Sequence, residues 1–160
     1  MDHSDHQLGT METIYLHDLL KVVASRFQEL KGVEIILDLK VNNELIKTWP
    51  DALKTVLSNL LDNAIKYTPG ADKLVNISVS QDSKHYFFSV TDFGIGISQE
   101  QQPYIFDKFY RVPQGNLHEV KGYGLGLSHV KSLVEKMGGE IKVVSQLKKG
   151  SVFTVQLNKK

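Results

Sequence analysis

The sequence predicts an α+β fold, a two-layer sandwich in which a mixed sheet carries helices on one face. Three observations lead there. Apolar residues recur at helical spacing in three separated stretches. Between those stretches lie β-rich runs bounded by turn-forming residues. The 160 residues, 41% hydrophobic and 23% charged, have the make-up of one globular domain rather than a disordered chain.

Charge and cysteine content narrow the function. Lys plus Arg number 19 and Asp plus Glu 18, for a net charge of +1, so neither nucleic acid nor an anionic membrane has an electrostatic footing as the main partner. With no cysteine, disulfides, thiolate metal sites and a Cys nucleophile are excluded. No apolar run approaches the roughly 20 residues that span a bilayer. Residues 1–11 read as a leader or disordered remnant without a signal-peptide apolar core. Residues 12–160 are then the domain.

The first helix runs from Leu16 to Leu30, where Leu16, Leu19, Leu20, Val23, Phe27 and Leu30 keep helical spacing and Gly32 stops it. Val33 to Val41 is a strand. The second helix extends from Pro50 or Asp51 to Tyr67, and Pro69-Gly70 ends it. Strands Leu74–Ser80 and His85–Thr91 follow, joined by a hairpin turn at Gln81-Asp82-Ser83-Lys84. Asp92 to Ile97 is a glycine-bearing loop. Ser98 caps a short helix over Gln99 to Phe109. Val112 to Lys121 is polar and aperiodic, so it reads as a mobile loop. A third helix covers Gly124 to Met137, closed by Gly138-Gly139. Strands Glu140–Ser145 and Ser151–Leu157 finish the pattern.

The second helix carries the densest chemistry. With Asn59 at zero and about 100° per residue, Asn63 falls near 40°, Lys66 near −20° and Tyr67 near 80°. Leu53, Leu57, Leu60, Leu61 and Ala64 lie on the adjacent apolar face. Asparagine is a poor interior helix former because its amide competes for backbone hydrogen bonds. A binding site explains two of them one turn apart; a solvated face is the alternative. Their amide oxygens suit Mg²⁺, a hard cation. Lys66 suits phosphate, and the ring of Tyr67 can cover a base.

Asp92-Phe93-Gly94-Ile95-Gly96 follows a strand. Its glycines let backbone approach a ligand closely, and a carboxylate at the mouth can accept from an exocyclic amine, favouring adenine over guanine. Gly122-Tyr123-Gly124-Leu125-Gly126-Leu127 opens the third helix, where free N–H groups make an anion site. It is not a dinucleotide fingerprint, since a polar loop rather than a strand precedes it. Phe106, Phe109 and Tyr110 read as core residues anchoring the root of the mobile loop. Arg111 at that root can reach a terminal phosphate when the loop closes.

Together these segments resemble the catalytic, ATP-binding domain of sensor histidine kinases. The family's boxes appear in order: NLLDNAIKY at Asn59–Tyr67, DFGIG at Asp92–Gly96, IFDKFYR at Ile105–Arg111, GYGLGL at Gly122–Leu127 and KKGSVFTV at Lys148–Val155. The resemblance implies the Bergerat fold, with a mostly antiparallel sheet and a flexible lid over ATP. Asn63 would coordinate Mg²⁺. Asn59 and Lys66 would contact phosphate oxygens, and Tyr67 would pack by the nucleoside. Asp92 would hold the adenine amino group, with Gly94, Gly96 and Ile97 at that pocket. Gly122, Gly124 and Gly126, with the amides of Leu125 and Leu127, would hold phosphates, and Arg111 would approach the γ-phosphate. Asn59, Lys66 and Arg111 are thus the expected catalytic set.

Relatives of the gyrase and Hsp90 types carry a Glu where Asn59 stands, and that Glu activates water. An amide is no general base at neutral pH, so Asn59 argues for transfer over hydrolysis. The histidines are His3, His6, His17, His85, His118 and His129, and none has the context of the family's acceptor. The resemblance therefore implies an acceptor on a separate dimerisation domain of the same full-length protein. A response regulator would be the onward partner, and the chain would be the cytoplasmic part of a membrane-bound sensor. A serine kinase of the anti-sigma type shares the fold and is told apart by its acceptor.

Overall fold

Apolar residues alternate with polar ones along five strands, and that alternation decides where the core lies. The computed structural model describes residues 5–42, 44–110 and 126–160. A four-residue helix α1 (Asp5–Leu8) and strand β1 (Glu12–Tyr15) lead into α2 (Leu16–Gln28) and β2 (Val33–Leu39). Strand β3 (Leu45–Thr48), α3 (Pro50–Lys66), β4 (Lys73–Gln81) and β5 (His85–Asp92) follow. A 3₁₀ turn (Gln102–Tyr104), α4 (Gly126–Lys136), β6 (Glu140–Gln146) and β7 (Gly150–Asn158) complete the order.

The main sheet runs β2-β4-β5-β7-β6. Its β2–β4 pair is parallel; β4–β5, β5–β7 and β7–β6 are antiparallel. The sheet is mixed and mostly antiparallel, as expected. Val75, Ile77, Val79, Phe88, Val90, Phe153 and Val155 are buried on one face. The opposite rows, with Asn76, Ser78, Ser89, Thr91 and Thr154, are only partly buried. The three long helices cover the apolar face: α2 lies on β2, α3 on β4 and β5, and α4 on β6. The two-layer arrangement with helices on one side is the one the sequence predicts.

Helix α3 lies at the centre of that layer. Pro50 occupies its first turn, where a missing N–H leaves no hydrogen bond unmade. Leu53, Val56, Leu57, Leu60, Leu61 and Ala64 form a continuous buried stripe, with Leu53, Leu57 and Leu61 at 0% exposure. Each such leucine contributes about 1.5–3 kcal/mol of transfer free energy. That packing offsets the weak helix propensity of Asn59 and Asn63. The last turn is closed by side chains. The Thr68 hydroxyl donates to the Ala64 carbonyl at 2.7 Å, and the Lys73 ammonium to that of Ile65 at 2.9 Å. Helix α4 ends as its glycines suggest: Gly138 N–H donates to Glu135 and Gly139 N–H to Val134, both at 2.9 Å.

Several expectations are revised. Residues 5–8, placed in the leader by the sequence, form α1, and Leu8 is 3% exposed against the core. Strands β1 and β3 were not anticipated; they pair antiparallel with Ile14 opposite Ile46 in a ribbon apart from the main sheet. The helix expected over Gln99–Phe109 is reduced to the 3₁₀ turn and a run of i→i+3 bonds, such as Tyr104 N–H to Gln101 and Asp107 N–H to Tyr104. Pro103 has no N–H to continue an α-helical ladder, and Phe109 at φ 66° breaks the helical path. The mobile loop expected over 112–121 lies outside the described residues, as does the expected start of the third helix at 124–125.

Candidate functional site

The polar face of α3 and the loop after β5 meet at one end of the sheet. Asn59 and Asn63 are half-buried, one turn apart, on the flank of the leucine stripe. Lys66 is exposed in the last turn, where its ammonium stands 2.7 Å from the Asp62 carboxylate. An exposed pair at this i,i+4 spacing is worth only about 0.3–0.5 kcal/mol, so Lys66 is readily exchanged to another anion. Tyr67 caps the helix, and its N–H donates to the Asn63 carbonyl at 3.1 Å.

The Tyr67 carbonyl then accepts the N–H of Ile95 at 3.1 Å, which fastens the loop to the helix end. On its other side the Ile95 carbonyl accepts the N–H of Lys148 at 2.8 Å, in the turn between β6 and β7. Both contacts need bare backbone. A Cβ on Gly94 would stand 2.1 Å from the Tyr67 carbonyl oxygen. One on Gly96, whose φ is 72°, would stand 2.1 Å from that of Gln146. The close approach that requires these glycines is to neighbouring backbone, whereas the sequence predicts approach to a ligand.

Asp92 ends β5, opposite Val75 of β4 and Ser151 of β7, and is 4% exposed. Its Oδ1 accepts the N–H of Gly94 at 3.0 Å. Burial pushes the carboxyl above its ordinary value, while the N–H groups of Gly94 and Ser151 favour the ionised form and pull the other way. A buried carboxylate held by the Gly94 N–H is oriented before any ligand arrives. Ile97, at the end of the loop, is half-buried and packs against the core.

The aromatic segment divides. Ile105 is buried, and Phe106 meets Phe153 edge-on at 6.2 Å between centroids. Tyr110 packs against the core and lies 5.8 Å from Tyr104. Phe109, expected in the core, is 66% exposed instead, because its positive φ turns it outward, beside the Lys108 ammonium. Gly126 opens α4 and Leu127 packs partly against the core. Arg111, Gly122, Gly124 and Leu125 lie outside the described residues.

The structure thus brings together Asn63, Lys66, Tyr67, Asp92, Gly94, Gly96 and Ile97, with Asn59 one turn further along α3. Among the described residues no three His, Cys, Asp or Glu side chains gather. The oxygen donors that α3 could offer a hard cation such as Mg²⁺ are the amide oxygens of Asn59 and Asn63. No described helix is long and apolar enough to cross a membrane. The sequence reading passed over Ser145 and Ser151. Both put a hydroxyl on an inward position of an alternating strand, and that breach of pattern was the available signal.

Comparison with known proteins places this geometry. Residues 49–160 match the family described as histidine kinase-, DNA gyrase B-, and HSP90-like ATPase. The chain is 36% identical over 163 residues to the sensor protein RprX of Bacteroides fragilis, covering 98% of this chain and 31% of that protein. It is 33% identical over 148 residues to the signal transduction histidine-protein kinase ArlS of Staphylococcus aureus, covering 90% and 32%. The crystal structure of full-length ShkA in complex with AMPPNP superposes with a TM-score of 0.81 at 27% identity, over 94% of this chain and 32% of that one. The chain spans about a third of the length of each of these relatives.

Proposed function

We propose that this chain, which belongs to the family of histidine kinase-, DNA gyrase B- and HSP90-like ATPases, is the ATP-binding catalytic domain of a sensor histidine kinase. It binds Mg·ATP and transfers the γ-phosphoryl to a histidine on a separate dimerisation domain of its full-length protein, for relay to a response-regulator aspartate. One observation carries the reading. The Ile95 N–H to Tyr67 carbonyl bond sets the loop of buried Asp92 against the end of the helix that bears Asn59, Asn63 and Lys66.

In this reading Asp92 accepts from the adenine amino group. Gly94, Gly96 and Ile97 form the floor beneath the base, and Tyr67 packs by the nucleoside. Asn59 and Lys66 hold phosphate oxygens, and the Lys66 ammonium leaves Asp62 to do so. Asn63 lends an amide oxygen to Mg²⁺. Arg111 approaches the γ-phosphate. Gly122, Gly124 and Gly126, with the amides of Leu125 and Leu127, hold the phosphate chain. Mg²⁺, when bound, neutralises charge on the phosphates. The donor set fits it, since the amide oxygen of Asn63 is a hard, neutral donor that could complete the shell of a cation carried by the phosphates.

The chemistry is positioning and charge neutralisation. A ring nitrogen of the acceptor histidine forms the P–N bond as the bond from the γ-phosphorus to its bridging oxygen breaks, and ADP leaves. The ring proton passes to solvent. No base on this chain is needed, which agrees with an amide at Asn59. Two relatives, one named a sensor protein and one a histidine-protein kinase, together with the near-neutral charge of the chain, support the cytoplasmic part of a membrane-bound sensor, without nucleic acid or direct membrane contact.

The test supplies the chain with Mg·ATP and a cognate acceptor hairpin from the native reading frame. The expected product is acid-labile phosphohistidine. Transfer to serine would favour the anti-sigma type. Fast hydrolysis by the isolated chain would favour an ATPase of the gyrase or Hsp90 type.

A further inference from the structure

The hydroxyl of Ser145, on the edge strand β6, makes three hydrogen bonds. It accepts the N–H of Ile97 at 2.7 Å, lies 2.9 Å from the Gly150 carbonyl oxygen and 2.7 Å from the Ser151 hydroxyl. A serine hydroxyl has one proton and two lone pairs. Ile97 can only donate and the Gly150 carbonyl can only accept. The Ser145 proton therefore goes to Gly150, and the Ser151 hydroxyl donates into the remaining lone pair. The group is saturated, and every proton has one position.

Two of these partners, Ile97 and Ser151, lead to Asp92. Ile97 ends the loop that Asp92 begins. Ser151 is 5% exposed and stands opposite Asp92 across the β5–β7 ladder, where its backbone N–H favours the ionised carboxylate. Gln102 closes the circuit from the opposite side, its Nε2 donating to the Ile97 carbonyl at 2.9 Å and to the Ser145 carbonyl at 3.2 Å. We infer that Ser145 is a positioning residue for base recognition, aiming the Asp92 carboxylate by tying the end of its loop to the strand that steadies it. The inference rests on the adenine role proposed for Asp92.

Discrimination follows from aim. Adenine presents an amine and guanine a carbonyl oxygen at the same ring position, so a fixed carboxylate attracts one and repels the other. A carboxylate free to swing loses part of that contrast. The test measures ATP and GTP dissociation constants by calorimetry for wild type, Ser145→Ala and Ser145→Thr. Ser145→Ala should raise the ATP constant about threefold to tenfold, the loss of one to two ordinary hydrogen bonds, and bring the ATP and GTP constants at least threefold closer. Ser145→Thr keeps the hydroxyl and should restore both. Ser89→Ala breaks a hydroxyl pair with Thr154 of 2.9 Å on the opposite face of the sheet. It should alter thermal stability without moving the nucleotide ratio.

If Ser145→Ala does not fold, Gln102→Ala tests the same circuit and should move the ratio in the same direction. A folded Ser145→Ala or Gln102→Ala with the wild-type ratio overturns the inference. Asp92→Asn is measured alongside. If it too leaves ATP affinity unchanged, the adenine reading itself falls. If it weakens ATP while Ser145→Ala does not, only the positioning role falls.

Discussion

Replacing Asp92 by asparagine tests the base pocket through a conflict of donors. In the wild type the Gly94 N–H donates to a carboxylate that is 4% exposed, and the Ser151 N–H also favours its ionised form. Asparagine has a single acceptor oxygen. The N–H of Gly94, 3.0 Å from Oδ1, draws that oxygen inward, so the amide NH₂ turns toward the base. It then faces the adenine amine donor to donor. A charge-assisted hydrogen bond contributes about 1.5–3 kcal/mol, so its loss weakens ATP binding roughly 10- to 150-fold. The same NH₂ can donate to the carbonyl oxygen of guanine, so GTP should lose much less. Titration calorimetry with both nucleotides and Mg²⁺ at pH 7 reads the two constants. An ATP constant within twofold of wild type would refute the assignment of Asp92 to the base.

Three further outcomes are expected. Burial raises the Asp92 carboxyl above its ordinary 3.8, so the folded chain keeps that proton to higher pH than the unfolded chain does. The stability contributed by the proton is full below 3.8 and is lost as pH rises through the folded value. ATP affinity moves oppositely, falling as pH drops through that value, and titrations across acidic pH should show the fall vanish in Asp92→Asn. Asn63→Ala should flatten the dependence of ATP affinity on Mg²⁺ concentration; a magnesium titration matching wild type would remove Asn63 from the metal shell. Gly94→Ala places a Cβ 2.1 Å from the Tyr67 carbonyl oxygen, so the loop must leave the helix end. ATP binding should drop at least tenfold with only a moderate fall in melting temperature, and unchanged affinity would show that the fastening does not matter.

Much of this was legible because long elements carry their own periodicity. The leucine stripe of α3 and the alternation of β4, β5 and β7 reveal which face is buried. The asparagines stand out because they interrupt a helix that the leucines otherwise specify. Strands β1 and β3 escaped because four residues each, ETIY and LIKT, are too short to display alternation. Helix α1 escaped because a single buried leucine, Leu8, has no repeat to reveal it. The 99–109 segment misled because its aromatics keep helical spacing while Pro103 and the positive φ of Phe109 forbid the helix. The conjunction of Asp92 with Tyr67 was inferable only from resemblance, since the joining Ile95–Tyr67 bond is between backbone atoms and leaves no mark on residue type. Ser145 left a fainter mark: its breach of the strand's alternation is easily taken for the start of a turn, because it is a small polar residue near a strand end.

The position of β7 bears on synthesis. It is the last strand of the sheet to leave the ribosome, yet it sits inside the sheet, flanked by β5 and β6. Until residues 150–158 emerge, β5 has an open edge and β6 has no neighbour in the sheet. Its pairing with β5 also joins residues as far apart as His85 and Asn158, a slow closure for a nascent chain. Translation halted before this strand would leave sticky, template-like edges to chaperones or to neighbouring copies, and would leave Asp92 without Ser151, its partner across the sheet.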